Sequence, residues 1–233
     1  MTLVGQTIIF VLITTAVIMA IQPTLLGVLI LIATTWRGQQ RHPRRAFWLA
    51  LAWGKTFFAT LVLIGLGLLA FAALIVPTHG YTLGMMIALL LGFIGLVEIK
   101  DFFWYGRGLS FRLPSAWVKQ MHDLLAHSRD FAVITAGVIM AVMILLSTGA
   151  LYLGALTLVA ITPSFTNMGW WIIVNTIALV PLFIFLLFLL AGGNLVYIKQ
   201  WHERQRPWLR LIGGIWLIVL SWVIIIVTTV TYK

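Results

Sequence analysis

The side chains that could do chemistry in this sequence are few, and they interrupt long apolar runs. Gln22-Pro23-Thr24 is the first interruption, Ser147-Thr148 is the second, and Asn175 lies alone six residues before Pro181. Amide and hydroxyl groups can hydrogen-bond a polar solute or coordinate an ion, and prolines inside helices provide hinges. The sequence therefore predicts a polar centre lined by Gln22, Thr24, Ser147, Thr148 and Asn175, with hinges at Pro23 and Pro181.

A purely structural role would explain the same residues. Pro23 lacks a backbone N–H and frees carbonyl groups on the preceding turn. The hydroxyl groups of Thr24 and Ser147 can satisfy backbone groups within an apolar surrounding. The sequence leaves both interpretations open.

Lys55 and Glu98 are charged residues within or at the end of apolar runs. An ammonium group inside lipid costs about 3 kcal/mol unless it pairs or reaches water. We therefore predict an ion pair between Lys55 and Glu98. Such a pair would either stabilise helix packing or take part in an ion or proton relay.

Several classes of chemistry are excluded or disfavoured. The chain has no cysteine, so it carries no thiol redox centre and no thiolate metal site of its own. His122 and His127 lie five residues apart, which differs from the i, i+4 spacing of a helical metal pair. No Ser-His-Asp order, paired carboxylates or phosphate-binding glycine motif is present. We predict no catalytic residue, no metal and no cofactor. These observations favour a protein that is not an enzyme.

The composition requires lipid around most of this chain. Of its 233 residues, 62% are hydrophobic and 9% are charged, whereas a soluble domain is roughly 45–50% apolar and about 25% charged. The net charge is +10, but the basic residues lie in short clusters between apolar runs, without a nucleic-acid-binding module. The chain is therefore predicted to be a polytopic membrane protein that is embedded in the lipid bilayer. Nucleic acid is not a predicted partner.

Six apolar runs are long enough to span a bilayer, which needs about 20 helical residues. They are Leu3–Trp36, Ala46–Val76, Tyr81–Lys100, Phe131–Ile161, Met168–Val196 and Leu209–Val230. Turns are predicted at Pro77–Gly80 and over 162–167, where polar residues and proline separate the runs.

The basic residues predict the orientation of the chain. They concentrate in the first, third and fifth loops, whereas the second and fourth loops contain no Lys or Arg. By the positive-inside rule, the odd-numbered loops are predicted to be cytoplasmic and both termini to lie on the non-cytoplasmic side of the membrane. Residues 115–129 of the third loop have the spacing of an amphipathic helix on the inner face, or form a plain connector.

The third loop divides the chain, a single membrane domain over residues 1–233, into two halves. Residues 1–100 and 131–233 each contain three predicted helices, joined by a cytoplasmic linker over 101–130. A repeated unit of three helices is inverted relative to its copy, which is the plan of many transporters. The first helix of each half is longer than a bilayer requires, so we predict breaks at Pro23 and at Ser147–Ala150. The predicted fold is an all-α membrane protein of six transmembrane helices in two inverted repeats.

Four stretches carry a resemblance to a known membrane family. Gln22-Pro23-Thr24 stands where that family has Asn/Ser-Pro-Cys, and Leu146–Leu153 stands where it has Pro-Cys-Thr-Gly-Gly-Pro-Tyr-Leu. Residues 95–106, with the run IKDFFWYG, are similar to the end of the third helix in one subgroup, and residues 174–182 are similar to a fifth-helix run. The family is the transmembrane type of cytochrome c biogenesis and thiol–disulfide interchange proteins, CcdA and DsbD.

The resemblance implies a scaffold that passes reducing equivalents between two facing cysteines. Thr24 and Ser147 stand at those positions, and a hydroxyl group cannot form a disulfide. Gly27 and Leu151 also replace the prolines that follow the family's cysteines. We therefore expect a CcdA/DsbD-like protein that moves a small solute or an ion, or serves as a membrane partner subunit. The alternative is a transmembrane thiol–disulfide electron carrier in cytochrome c biogenesis, with the thiols supplied by a redox partner protein.

Overall fold

The protein is almost entirely helical in the part of the chain that its structure describes. The computed structural model describes residues 3–38, 43–104, 119–120, 123–125, 130–162 and 168–232, and these contain no β-strand. The helices are α1 (Leu3–Ala20), α2 (Pro23–Gly38), α3 (Pro43–Phe103), α4 (Asp130–Ile161), α5 (Met168–Leu190) and α6 (Leu195–Thr231). The all-α class predicted from the sequence is confirmed.

Several of these helices could cross a bilayer. Among the described residues, three helices are long and apolar enough to do so: Arg44–Phe103, Gly169–Leu190 and Leu195–Thr231. The pair Gln6–Ala20 and Pro23–Arg37, bent by 42°, makes a fourth candidate when it is counted as one span. These lengths and compositions are compatible with a membrane protein.

The bend between α1 and α2 occurs where the sequence predicts it. Pro23 is the first residue of α2, a position at which the missing N–H costs no helical hydrogen bond. The carbonyl of Met19 accepts instead from the N–H of Gln22, at 3.2 Å. The chain thus changes direction over Ile21 and Gln22 before helical bonding resumes.

α3 reverses its direction at His79, whose φ of −128° and ψ of 19° are not helical. On α4, the Tyr152 hydroxyl donates to the carbonyl of Leu61, and a methyl group added at Gly154 would lie 3.1 Å from Leu91. Leu61 and Leu91 are 30 residues apart, or roughly 45 Å along a straight helix. Because α4 contacts both from positions two residues apart, α3 must fold back into a first arm (43–78) and a second arm (80–103). The turn predicted at Pro77–Gly80 is present.

The second arm of α3 packs antiparallel to α6 along small residues. Gly80 lies against Tyr232, Gly84 lies against Thr228, and the Ser221 hydroxyl donates to the Ala88 carbonyl at 2.7 Å. Further along, a methyl group added at Gly95 would lie 2.8 Å from the carbonyl oxygen of Gly214. A methyl group added at Gly214 would likewise lie 2.8 Å from the carbonyl oxygen of Gly95. Small residues thus allow the two backbones to approach closely.

The first arm of α3 packs parallel to α4. Gly137 lies against Trp53, Thr56 and Phe57, and further along both helices Tyr152 reaches Leu61. Residue numbers therefore increase in the same direction along the two helices. Trp171 of α5 completes this layer, because its indole lies over Gly65 and edge-on to Tyr152, with ring centroids 4.8 Å apart.

The break predicted in the fourth apolar run is wrong. α4 continues as one helix from Asp130 to Ile161 through residues 147–150. The Ser-Thr-Gly-Ala segment contains no proline, so it removes no backbone N–H and the helical hydrogen bonding can continue across it. Pro181 lies inside α5, which continues past it to Leu190, and the hinge predicted there stays a prediction.

Most of the third loop lies outside the described residues. Of the amphipathic helix predicted over 115–129, only 119–120 and 123–125 are described, and both stretches are helical. Leu125 is fully buried, so this part of the linker packs against the helical core.

Candidate functional site

A small cavity lies where the bend between α1 and α2 meets α4 and α5. Its volume is about 20 Å³, enough for roughly one water molecule. Gln22 comes from the bend, Gly149 from α4 and Asn175 from α5. The remaining lining is apolar except for Tyr152: Met19, Leu25, Phe57, Leu61, Leu145, Ala178, Leu179 and Leu182. The structure thus brings together two of the predicted polar residues, Gln22 and Asn175.

Asn175 is held in place by its own helix. Its side chain is 2% exposed, and its Nδ2 donates to the carbonyl of Trp171 at 2.9 Å. Gln22 is half-buried, and a methyl group added at Gly213 of α6 would lie 3.0 Å from its Nε2. A glycine at position 213 therefore leaves room for the Gln22 amide beside α6.

Tyr152 is a cavity residue that the sequence analysis missed. Its hydroxyl donates to the Leu61 carbonyl while its ring packs against Trp171. The indole N–H of Trp171 is buried and has no hydrogen-bond partner among the described residues. The signal in the sequence was weak, since Tyr152 is a single phenol within an apolar run.

The other predicted residues are placed differently. Thr24 is half-buried on the first turn of α2 and is not part of the cavity lining. The side chains of Ser147 and Thr148 lie outside the described part of the structure. Their backbone belongs to the same turn of α4 as Gly149, which does line the cavity.

His202 of α6 contacts the bend directly, a role that its loop position in the sequence did not indicate. The imidazole Nε2 lies 2.8 Å from the carbonyl oxygen of Pro23, and His202 is buried. A carbonyl oxygen can only accept, so Nε2 carries the donated proton. Gly27 leaves room for the ring, because a methyl group there would lie 3.4 Å from Cε1 of His202. His202 thus ties the start of α2 to α6.

Charged side chains cluster where the second arm of α3 ends. The Arg210 guanidinium, 3% exposed, lies 2.6 Å from Oδ2 of the fully buried Asp101. It also lies 3.9 Å from a carboxylate oxygen of Glu98, and the Lys100 ammonium lies 2.8 Å from Oδ1 of Asp101. Two carboxylates and two cations thus nearly balance each other, which is how proteins retain buried charge.

Glu98 therefore interacts with Arg210, not with Lys55 as the sequence analysis predicted. Arg210 begins the apolar part of α6, which runs antiparallel to the second arm and brings the guanidinium beside Glu98 and Asp101. Lys55 belongs to the first arm and lines a separate apolar cavity with residues of α2 and α5. The reversal at His79 leaves the two predicted partners on different arms.

The described residues that line the central cavity offer only uncharged hydrogen-bonding groups. They include two amides and a phenol, and among them there is no carboxylate, imidazole or ammonium group. Such a set suits a small polar molecule or a weakly held ion better than bond-making catalysis.

The fold and the cavity define a helical protein with apolar helices of membrane-spanning length and a small polar centre. No protein-family profile, curated protein or solved structure matches the chain. The function must therefore be inferred from its own residues.

Proposed function

We propose that this chain is a six-helix protein of the inner (plasma) membrane that moves a small solute or an ion through its centre. The six passes are α1 with α2, the two arms of α3, α4, α5 and α6. Each pass has enough residues to cross a hydrocarbon core of roughly 30 Å. With the basic loops on the cytoplasmic side, both termini lie outside.

The directions of the packed helices support this topology. The first arm of α3 runs parallel to α4, and the second arm runs antiparallel to α6. The pair of α1 and α2 runs parallel to α5, since Gln22 and Asn175 line the same small cavity while Arg37 donates to the Gly193 carbonyl at 2.6 Å. All three relationships agree with six alternating passes.

The same contacts support an inverted repeat. A twofold axis that exchanges the halves would place the first arm on α5, and α4 on the pair of α1 and α2. The packing of the first arm against α4 would then correspond to the packing of α5 against α1 and α2. The axis would also exchange the second arm with α6, and the reciprocal contact of Gly95 and Gly214 lies at their crossing. We propose that the scaffold is of the CcdA and DsbD type, with threonine at position 24 and serine at position 147 in place of the redox cysteines.

One observation carries the transport function: a helix bend faces buried polar groups across a cavity. Transporters often bind their substrates where a helix is interrupted, because the freed backbone and nearby side chains can contact the substrate. At about 20 Å³, the cavity admits no more than roughly one water molecule. A larger solute would require the bend at Gln22 to open, so the present arrangement corresponds to a closed state.

The absence of native cysteine allows a direct test, because any introduced thiol is unique. We would place single cysteines at Thr24 and at Ser147 and measure their reaction with a water-soluble thiol reagent in membrane vesicles. Transport predicts that both positions react from at least one side of the membrane. Lys199→Cys, at an exposed position, provides the labelled control, and Ala155→Cys, at a fully buried position, the unlabelled one.

The contrary outcomes are equally specific. If neither central thiol reacts from either side while Lys199→Cys does, the centre is sealed, and a role as a membrane partner subunit is favoured. Complementation of a strain that lacks its own transmembrane thiol carrier tests the redox alternative. Restored cytochrome c maturation by the native, cysteine-free chain would show that a partner supplies the thiols.

A further inference from the structure

A second and larger cavity lies between α2, the first arm of α3 and α5. Its volume is about 280 Å³, and its walls are almost wholly apolar. The wall residues include Leu25, Val28, Phe57, Phe58, Leu179 and Phe183. Such walls suit a hydrocarbon chain, because they offer extensive apolar contact and few groups that a polar ligand could bind.

Lys55 is the one charged residue among the described lining residues of this cavity. It is exposed, and no described residue forms an ion pair or hydrogen bond with it. An unpaired ammonium group beside apolar walls is unfavourable in a membrane, so an anionic partner would stabilise it. Apolar walls and one cation together match an anionic amphiphile.

The position of Lys55 also indicates the side from which that amphiphile enters. It lies ten residues after Arg45, which belongs to the basic end of α3. Side chains on a helix lean toward its N-terminus, and a lysine stem can carry its ammonium group further along an apolar surface. A lysine at position 55 can therefore extend its ammonium group toward the end of α3 at which Arg44 and Arg45 lie.

We propose that the cavity binds an acyl chain of an anionic phospholipid from the leaflet at that end of α3, with the lipid phosphate paired to Lys55. The walls accommodate the chain and the ammonium selects the anionic headgroup. The inference does not depend on transport through the central cavity. Failure of thiol labelling at Thr24 or Ser147 would leave it unchanged.

The amount of each lipid that the purified protein retains tests the proposed binding site. The purified chain would be equilibrated with equal amounts of phosphatidylglycerol and phosphatidylcholine, and the lipids that remain bound would be counted by native mass spectrometry. We expect preferential retention of phosphatidylglycerol, and a loss of about tenfold in that preference for Lys55→Gln, because one charge-assisted contact disappears. Lys55→Arg should keep the preference, and Lys199→Gln, which removes an exposed lysine outside the cavity, is the matched control.

A second variant tests the acyl-chain part independently. Val180 lines the cavity and is 49% exposed, so Val180→Trp can fill the space without disturbing the core. It should lower retention while Lys55 remains, and Ile184→Trp, at another exposed lining position, should do the same.

Three results would overturn the proposal. They are equal retention of the two lipids by the native chain, unchanged preference in Lys55→Gln, and unchanged retention in both tryptophan variants. Displacement of phosphatidylglycerol by stoichiometric oleate would instead assign the cavity to a free fatty acid.

Discussion

Arg210 and Asp101 form a buried ion pair that joins the beginning of the apolar part of α6 to the end of the second arm of α3. The two residues are 109 positions apart in sequence, and their nearest side-chain atoms are 2.6 Å apart. Neither charge is well exposed, so each depends on the other and on the neighbouring Glu98 and Lys100. The pair fixes the register of the two helices at one end, while glycines fix their separation further along.

Removal of one partner should be costly. Arg210→Gln leaves Asp101 buried without its guanidinium, and loss of one partner from a buried pair typically lowers the free energy of unfolding by about 3–5 kcal/mol. The measurement is unfolding in mixed micelles with increasing SDS. Arg204→Gln, an exposed arginine on the same helix, should change stability by less than about 1 kcal/mol.

A double variant separates pairing from packing. Arg210→Met combined with Asp101→Leu removes both charges, and such apolar replacements are often neutral or stabilising. It should recover most of the loss seen in Arg210→Gln. A double variant as unstable as the single one would show that the pair does not account for the effect.

The close contact of Gly95 and Gly214 predicts an effect of a single methyl group. Gly95→Ala would place that group 2.8 Å from the backbone carbonyl of Gly214, so the helices must separate at a cost of about 1–3 kcal/mol. Gly67→Ala is the matched control on the same helix, because nothing lies within 4 Å of an added methyl group. It should be neutral or stabilising by up to about 1 kcal/mol. Equal effects of the two substitutions would contradict the close approach.

The register of the second arm and α6 can be tested by cross-linking. A β-carbon at position 92 would lie 3.8 Å from that of Ser221, and disulfides join β-carbons about 3.8 Å apart. Gly92→Cys with Ser221→Cys should therefore cross-link under mild oxidation and change gel mobility in a reducible manner. Gly67→Cys with Ser221→Cys should not, since position 67 contacts nothing within 4 Å. Cross-linking of the control pair without cross-linking of the 92/221 pair would contradict the contact between position 92 and Ser221.

Two features of the fold could be predicted from short sequence segments because each has a local physical cause. Pro23 lacks an N–H, so a break beside it could be expected without knowledge of the rest of the chain. The polar turn around His79 separates two apolar runs, and the helix reverses there. By contrast, Ser147–Ala150 lacks a proline, and polarity alone did not break α4.

The candidate site was less predictable because its contacts depend on the relative rotation of distant helices. Glu98 could have met Lys55 or Arg210, and only the reversal of α3 and the antiparallel course of α6 decide for Arg210. His202 lies 179 residues from Pro23, and no spacing in the sequence predicts their contact. Gln22 and Asn175 were predictable as amides within apolar runs, whereas the small size of their shared cavity was not.

The contact of His202 with Pro23 predicts a link between α6 and the bend. His202→Leu fills similar space but cannot donate to the Pro23 carbonyl, so the free energy of unfolding should fall by about 1–2 kcal/mol. His202→Gln can still donate a hydrogen bond to the Pro23 carbonyl and should retain more of the stability. Because Thr24 directly follows Pro23, reaction of a cysteine at position 24 with a water-soluble thiol reagent should also become faster in His202→Leu.

Stability and the labelling rate of position 24 together distinguish a hydrogen bond that holds the bend closed from ordinary packing of a buried ring. Ordinary packing predicts similar losses for leucine and glutamine and no change in the labelling of position 24. A hydrogen bond that holds the bend predicts that His202→Gln keeps both the stability and the slow labelling, since histidine and glutamine can both donate to the Pro23 carbonyl. Glu203→Gln, at the exposed neighbouring position on α6, controls for general effects on this helix. Native stability and native labelling in His202→Leu would show that the hydrogen bond does not hold the bend.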